Sequence, residues 1–190
     1  MTHLASTRIP PGPIKLSIDE FMELPNDGKR YEIIDGELLV TPAPIPRHQR
    51  VSRNLQTILI LALQKTGQGE VFDAPIDVVL DDHTVVEPDL LFIRTERLHI
   101  IGEKNIQGAP DLVVEILSPS TRRTDVLIKS ATYAKFGVPS YWIADPDLDR
   151  LELYRLQGPA YALVATVSSP AVARPEELPG LEIPLAEVFG

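Results

Sequence analysis

The chain has 190 residues, of which 44% are hydrophobic, and its formal net charge is −9. This length and composition favour one compact domain with a sizeable core. The absence of cysteine excludes a disulfide framework, a thiolate metal site and a cysteine nucleophile, and the acidic charge argues against loose, charge-driven binding to nucleic acid. The first residues lack the apolar core of a signal peptide, and no apolar run has the roughly 18 residues that a membrane span needs. We therefore expect a soluble, cytoplasmic protein without a membrane partner.

The amino-terminal segment predicts a tail followed by a short helix. Residues 1–16 are rich in proline and are predicted to be a flexible tail, so that a single domain spans residues 17–190. Ser17 and, three residues later, Glu20 form a capping-box pattern. This pattern predicts a helix that starts directly after Ser17.

The next segments predict a hairpin and a long helix. The dipeptide Asp35-Gly36 lies between two apolar runs and suits a type I′ turn. After a proline-rich stretch, apolar residues recur at helical spacing from Val51 to Ala62, and Gly67 ends the pattern. This is the longest helix that the sequence predicts.

Strand-like stretches follow, with a second helix among them. EVFDAPIDVVL, VVEPDLLFIR and PDLVVEIL are each predicted as a strand, and SYWIAD and RLELYRL are the last two. The helix between PDLVVEIL and SYWIAD is predicted to be capped by Thr124 and to end at Gly137. Such a helix suits a right-handed crossover between parallel strands. We expect an α/β fold, with a mixed central β-sheet flanked by helices and with an N-terminal helix and β-hairpin.

Two carboxylates, Asp89 and Glu115, stand among apolar residues of separate strands. If these strands are neighbours, about 4.8 Å apart, both carboxylates could bind one hard cation. Without a cation, their like charges should raise the pKa of one of them. Alternatively, each acid pairs with an arginine or lies at the edge of the sheet. Asp111 also follows a proline, but at roughly 13 Å along the strand it is too far from Glu115 to share an ion directly.

The second helix carries a lysine that could reach this site. Asp125 and Lys129 are four residues apart and share one helical face, so an ordinary salt bridge is one interpretation. Because the helix begins just after the strand of Glu115, the long lysine side chain can also bend back towards that carboxylate.

These residues together resemble a known family. RYEIIDGEL, EPDLLFI, DLVVEILSPST and YWIADP, in this order, resemble the restriction endonuclease family known as Uma-two, in the PD-(D/E)XK nuclease superfamily. The resemblance covers roughly residues 17–190 and implies the restriction-endonuclease-like fold. The superfamily places a lysine two residues after the strand glutamate, where this chain has Leu117. In the Uma-two pattern the following helix supplies the lysine, which points to Lys129.

The resemblance implies a metal-dependent endonuclease that hydrolyses the phosphodiester bonds of DNA. Asp89 and Glu115, with the backbone carbonyl of Ile116, would hold Mg²⁺ or Mn²⁺, and the ion would polarise the phosphoryl oxygen and activate water. Lys129 would orient that water or stabilise developing negative charge. The alternative is a catalytically inactive module of the same fold that binds nucleic acid or a protein partner. The acidic charge and Leu117 favour this alternative.

Four further residues are candidates for accessory roles. Glu32 could be another metal-side acid, or a hairpin residue that points to water. His48, at the start of the long helix, could contact a water or a phosphate, or be structural. Tyr133 could brace Lys129 through its hydroxyl, or fill the core. Asp125, the helical neighbour of Lys129, is the fourth.

Five arginines are candidates for contacts with the phosphates of DNA, although ordinary surface ion pairs are the other interpretation. They are Arg47, Arg50, Arg53, Arg122 and Arg123. A homodimer would supply the two sites that double-strand cleavage needs, but no stretch of the sequence specifies an interface.

Overall fold

A computed structural model of the protein describes residues 15–25, 27–119 and 122–190. Most of the predicted tail, residues 1–14, lies outside the described residues. The helices are α1 (Ile18–Met22), α2 (Pro46–Leu59), α3 (Ser130–Lys135) and α4 (Leu185–Phe189), with π-helical turns at Ile60–Gln64 and Thr124–Lys129 and a 3₁₀ helix at Thr95–Ile100. The strands are β1 (Arg30–Ile34), β2 (Glu37–Thr41), β3 (Gly69–Asp73), β4 (Val78–Asp81), β5 (Thr84–Val86), β6 (Leu90–Arg94), β7 (Ile106–Gln107), β8 (Leu112–Ile116), β9 (Ser140–Asp145), β10 (Arg150–Gln157), β11 (Ala160–Ser168), β12 (Val172–Ala173) and β13 (Ile183–Pro184).

A six-stranded mixed sheet forms the centre of the fold, in the order β11-β10-β9-β8-β6-β3. Strands β8 and β9 are parallel, and the other neighbours in this sheet are antiparallel. A five-stranded sheet has the order β2-β1-β5-β4-β7, and β12 pairs with β13. The predicted mixed sheet, its flanking helices and the parallel crossover from β8 to β9 are therefore confirmed.

Local signals near the amino terminus have the predicted effect. The Glu20 N–H donates to the Ser17 hydroxyl at 3.4 Å, and the Ser17 N–H donates to the Glu20 carboxylate at 2.8 Å, which together form the capping box. Asp35 and Gly36 have φ angles of 50° and 81°, the left-handed values that a type I′ turn requires. The predicted hairpin is confirmed as β1 and β2. The N–H of Leu16 is bound to the carbonyl of Gly36 at 2.9 Å.

Two of the segments that were predicted as single strands each form two strands. EVFDAPIDVVL forms β3 and β4 on either side of Pro75, and VVEPDLLFIR forms β5 and β6 on either side of Pro88. In each case the first and second strands belong to different sheets. Proline has no N–H for a strand ladder, so the chain can leave one sheet at this residue and enter the other. Asp89 consequently lies at the start of β6, next to the passage between the sheets.

Side chains of β6 and β8 point alternately into two hydrophobic cores, one on each face of the six-stranded sheet. The core under α2 and α4 includes Val51, Leu55, Leu90, Phe92, Val114, Ile116, Val188 and Phe189. The core under α3 and the five-stranded sheet includes Ile34, Val78, Leu91, Ile93, Val113, Leu117, Tyr133 and Val138. Trp142 is fully buried, as predicted for an inner strand.

The second helix begins earlier than the sequence predicts. The Arg122 N–H already donates to the Ser118 carbonyl at 3.0 Å, a helical bond, so Thr124 lies inside the helix and does not cap it. Gly137 has a φ of 77° and ends the helix as predicted. None of the helices in the described part of the chain is long and apolar enough to cross a membrane.

Candidate active site

The carboxylates of Asp89 and Glu115 come together because β6 and β8 are antiparallel neighbours. Leu90 lies opposite Val114, which places Asp89 opposite Glu115 one residue further along. The N–H of Ile116 donates to Asp89 Oδ2 at 2.8 Å. Both acids line one cavity of about 220 Å³, although Asp89 is only 5% exposed and Glu115 only 1%.

Lys129 reaches this pair from the helical turn that precedes α3. Its Nζ lies 3.1 Å from Glu115 Oε1, 2.9 Å from Glu32 Oε1 and 3.8 Å from Asp125 Oδ1. Lys129 therefore forms both the helical salt bridge with Asp125 and the contact with Glu115 on β8. The lysine is only 4% exposed, and these carboxylates compensate its buried charge.

Glu32 is a buried member of this cluster, and the interpretation that it points to water is wrong. It is 1% exposed. Its Oε1 accepts a hydrogen bond from the Glu87 N–H at 2.7 Å and also pairs with Lys129. Strand β1 thus delivers an acid to the cavity region through its pairing with β5.

Asp89 is held by two side chains from different elements. Arg30 Nη1 lies 3.1 Å from its Oδ1, and His48 Nε2 lies 3.1 Å from its Oδ2. Arg30 also donates to the Glu87 carbonyl at 2.5 Å and forms an ion pair with the Glu87 carboxylate. The alternative that Asp89 pairs with an arginine is therefore confirmed.

Sequence reasoning missed Arg30 and Glu87 as members of the site. Arg30 and Glu32 are two residues apart in β1, and residues with this spacing share one face of a strand. Once Glu32 is a candidate, this spacing is the signal that could have identified Arg30. Glu87 had only the weak signal of its place before Pro88 and Asp89.

Tyr133 binds the strand glutamate rather than the lysine. Its hydroxyl donates to Glu115 Oε1 at 2.6 Å, and its ring lies in the hydrophobic core. The alternative that Tyr133 fills the core is therefore confirmed, and its hydroxyl contacts not Lys129 but the Glu115 carboxylate, which both residues share. Burial raises the pKa of the Tyr133 hydroxyl, which keeps it protonated as a donor.

The pKa values of the two central acids move in opposite directions. Burial raises the pKa of Glu115 well above its usual value, and the attraction of Lys129 only partly opposes this. Burial also acts on Asp89, but the hydrogen bond and charge of His48 and the charge of Arg30 outweigh it and lower the pKa of Asp89 to about 2. The raised pKa expected within the pair thus falls on Glu115, with burial and not the like charge of Asp89 as its largest cause.

Lys129 remains a cation in this setting. Burial acts to lower the pKa of its ammonium group, but the negative charges of Glu115 and Glu32 outweigh burial and raise that pKa above its usual value. The lysine is therefore a fixed positive charge and a hydrogen-bond donor, and not a base.

The cluster holds more negative than positive charge. Its ionisable residues, beside His48, are five acids and two cations, formally −3 when all are charged: Glu32, Glu87, Asp89, Glu115 and Asp125 against Arg30 and Lys129. Such an excess in a buried setting is unfavourable. Protonation of Glu115 or a bound cation would relieve it.

The donor atoms suit a hard divalent cation, whose preferred ligands are oxygens. Both polar contacts of Glu115 fall on Oε1, so among the described residues Oε2 has no hydrogen-bond or ion-pair partner. The buried Nδ1 of His48 likewise has no hydrogen-bond partner there. In the part of the chain that the structure describes, no three His, Cys, Asp or Glu side chains form a ready metal cluster. A cation would therefore depend on two carboxylates, a backbone carbonyl and water.

The five candidate arginines lie outside the lining of this cavity. Arg47 pairs with Asp149 at 2.6 Å, and Arg122 pairs with Asp145 at 2.9 Å, so for these two the surface ion pairs are confirmed. Among the described residues, the remaining three have no ion-pair partner. They are Arg50, Arg53 and Arg123.

Comparison with known proteins identifies relatives of the whole domain. Residues 18–186 match the Uma2 family, described as "Putative restriction endonuclease". Among solved structures, the chain is similar to a "putative nuclease belonging to DUF820" from Anabaena variabilis, with 23% sequence identity and a TM-score of 0.76. That match covers 92% of this chain and 97% of the other, and at this identity it shows a shared fold. The curated proteins contain no match.

Proposed function

Because the chain belongs to the Uma2 family, a restriction-endonuclease-like branch of the PD-(D/E)XK nucleases, we propose that it is a Mg²⁺- or Mn²⁺-dependent endonuclease that hydrolyses phosphodiester bonds of DNA. One observation carries this proposal. Asp89, Glu115 and Lys129 come from β6, β8 and the helix after β8, and all three line one cavity in a cluster with excess negative charge.

The ligands proposed for the ion are Asp89, Glu115 through its Oε2, and the backbone carbonyl of Ile116. When bound, the ion would polarise the phosphoryl oxygen and lower the pKa of a water. It would also neutralise part of the excess negative charge. The side chains of Arg30 and His48 keep Asp89 ionised, which a metal ligand requires.

Lys129 is proposed to act as an electrostatic catalyst. Its ammonium group is held between Glu32 and Glu115, so its position is set before substrate arrives. As a fixed cation, it can donate a hydrogen bond to the attacking water or to a phosphate oxygen on which negative charge develops. Tyr133 is a positioning residue in this scheme, because it holds the Glu115 carboxylate by its other contact on Oε1.

A cleavage assay tests the proposal. Single-stranded, duplex and branched DNA are incubated with the protein and Mg²⁺, Mn²⁺ or EDTA, and Asp89→Asn and Glu115→Gln are expected to abolish metal-dependent cleavage. Asp111→Asn is a matched control, because Asp111 also follows a proline at the start of a strand but pairs with Arg97 at 3.0 Å outside the cavity. Cleavage by Asp89→Asn at the wild-type rate, or no metal-dependent cleavage by the wild type, would contradict the proposal.

A second candidate function is the inactive module of the same fold, and one observation favours it. Leu117, at the usual lysine position, is 5% exposed and lies in the hydrophobic core. This alternative requires binding of nucleic acid or a protein without metal-dependent cleavage. Calorimetric titration with Mn²⁺ separates the two functions, since the nuclease should bind the ion with an affinity that falls in Asp89→Asn.

A further inference from the structure

We propose that the exposed face of α2 is a binding groove for a single strand of DNA and leads that strand into the cavity of Asp89 and Glu115. The inference rests on the proposed nuclease function and names its substrate class. The substrate would be single-stranded DNA or a single-stranded end, and not an intact duplex.

Helix α2 is basic in an acidic protein. Its residues, Pro46–Leu59, include three arginines and one histidine but no aspartate or glutamate, whereas the whole chain has a net charge of −9. Arg47 is occupied by Asp149. Arg50 and Arg53 are exposed and pair with no acid among the described residues. Arg53 Nη2 donates to Asn54 Oδ1 at 3.3 Å, and the other N–H groups of the two guanidinium groups can bind phosphate.

These two arginines line a groove of about 530 Å³ together with uncharged polar side chains. Its lining consists of Pro46, Gln49, Arg50, Ser52, Arg53, Gln56 and Asp73. Positions 49, 53 and 56 follow helical spacing and share one face, which extends for roughly 10 Å along the axis. Arginine, glutamine and serine side chains all donate hydrogen bonds to phosphate oxygens without reading base sequence.

The groove and the cavity of Asp89 and Glu115 are lined by neighbouring residues at the start of α2. Ile45 and His48 line the cavity, whereas Pro46 and Gln49, the residues directly after them, line the groove. A strand that lies along α2 in the direction from Arg53 to Pro46 therefore runs towards residues that line the cavity.

The burial of Asp89 and Glu115 favours single-stranded DNA over duplex DNA as the substrate. The side chains of Asp89 and Glu115 are only 6% and 2% exposed, so the reacting phosphate must leave the path of its strand and enter the cavity. A strand held in a duplex must distort or separate from its complement to do so, which costs energy that a single strand avoids. The lining of the cavity includes Pro42, Pro44 and Pro119, whose apolar rings can contact an unpaired nucleotide.

Binding in EDTA, where no metal-dependent cleavage occurs, tests the groove directly. Fluorescence anisotropy with labelled single-stranded and duplex DNA of the same sequence compares the wild type with the double variant Arg50→Ala/Arg53→Ala. Each lost phosphate contact should lower the salt slope for the single strand by about 0.7, so two contacts correspond to about 25-fold weaker binding at 0.1 M salt. The wild type should bind the single strand more tightly than the duplex.

Two single variants serve as controls. Asp73→Asn removes the carboxylate that lines the groove and should tighten binding. Arg174→Ala removes one positive charge from an exposed site that pairs with Glu182, and should leave binding unchanged. Unaltered melting curves of the groove variants would show that the fold is intact.

The binding and cleavage assays together test the groove and the nuclease function independently of each other. Equal binding of duplex and single strand, or unchanged binding by the double variant, would overturn the groove, even if the wild type cleaves DNA with Mn²⁺. If the wild type cleaves no DNA with either metal but binds single strands through Arg50 and Arg53, the nuclease proposal fails and the groove stands. If the wild type binds no single-stranded DNA, the groove is refuted whatever the cleavage assay gives.

Discussion

Replacement of Lys129 by methionine removes the cation that three buried carboxylates share. The lysine nitrogen contacts Glu32, Glu115 and Asp125 within 3.8 Å, and the residue is 4% exposed. Methionine retains an unbranched, flexible apolar side chain, so most of the packing survives. The change therefore isolates the charge, and Arg30 remains as the only lysine or arginine in the cluster.

The expected cost follows from the burial of this charge. Removal of one partner of a buried ion pair destabilises a protein by about 3–5 kcal/mol. Each kcal/mol corresponds to about 2–4 °C for a domain of this size, so the melting temperature should fall by about 10 °C at pH 8.

The loss should depend on pH, because the pKa of folded Glu115 is already raised and would rise further without the lysine. A raised folded pKa contributes stability that is fully present below the unfolded value of about 4.3 and is lost as the pH rises through the folded pKa. The deficit of Lys129→Met should therefore be larger at pH 8 than at pH 5.

Thermal melts followed by circular dichroism in EDTA at both pH values measure this difference. Lys135→Met is the matched control, since Lys135 lies six residues further along the same helical segment and forms an ion pair with Asp35, both side chains being more than half exposed. An exposed pair of this kind contributes little, and the control should melt within about 3 °C of the wild type.

In addition, Lys129→Met should abolish cleavage and retain Mn²⁺ binding, because lysine is not a metal ligand here.

Two results would refute this reasoning. An equal loss of melting temperature at pH 5 and pH 8 would show that Lys129 contributes packing and not charge. Cleavage by Lys129→Met at the wild-type rate would remove the lysine from the proposed chemistry.

Other substitutions in the cluster have distinct expected effects. Tyr133→Phe removes the hydroxyl that donates to Glu115 and should lower the free energy of unfolding by about 1–3 kcal/mol, because a buried acceptor loses its donor; an unchanged urea midpoint would contradict this bond. Asp89→Asn should cost about 2 kcal/mol at neutral pH, because the pKa of Asp89 is lowered to about 2. A lowered folded pKa contributes stability that is lost as the pH falls through it, so in acid denaturation series the deficit should shrink between about pH 4 and pH 2. Excess Mn²⁺ should raise the melting temperature of the wild type but not of Asp89→Asn, and equal shifts would place the ion elsewhere.

Local sequence signals determined much of the secondary structure. The capping box of Ser17 and Glu20 and the turn at Asp35-Gly36 depend on residues within three positions of one another, so the sequence contains all their partners. The acids in two apolar strands were likewise visible, because a carboxylate among buried residues needs a compensating partner. The order of these elements was also sufficient to predict that the strand of Glu115 leads through a helix into a parallel neighbour.

Only the tertiary structure decided which residues compensate the buried charges of the site. Arg30 and Asp89 are 59 residues apart, and only the arrangement of two sheets places them together. Periodicity cannot reveal this arrangement, because a proline that ends a strand looks the same whether the chain continues in the same sheet or enters another. The partner of Tyr133 was ambiguous for a similar reason. A residue's type determines that a buried polar group needs a partner, but the positions of neighbouring elements determine which partner lies within hydrogen-bond distance.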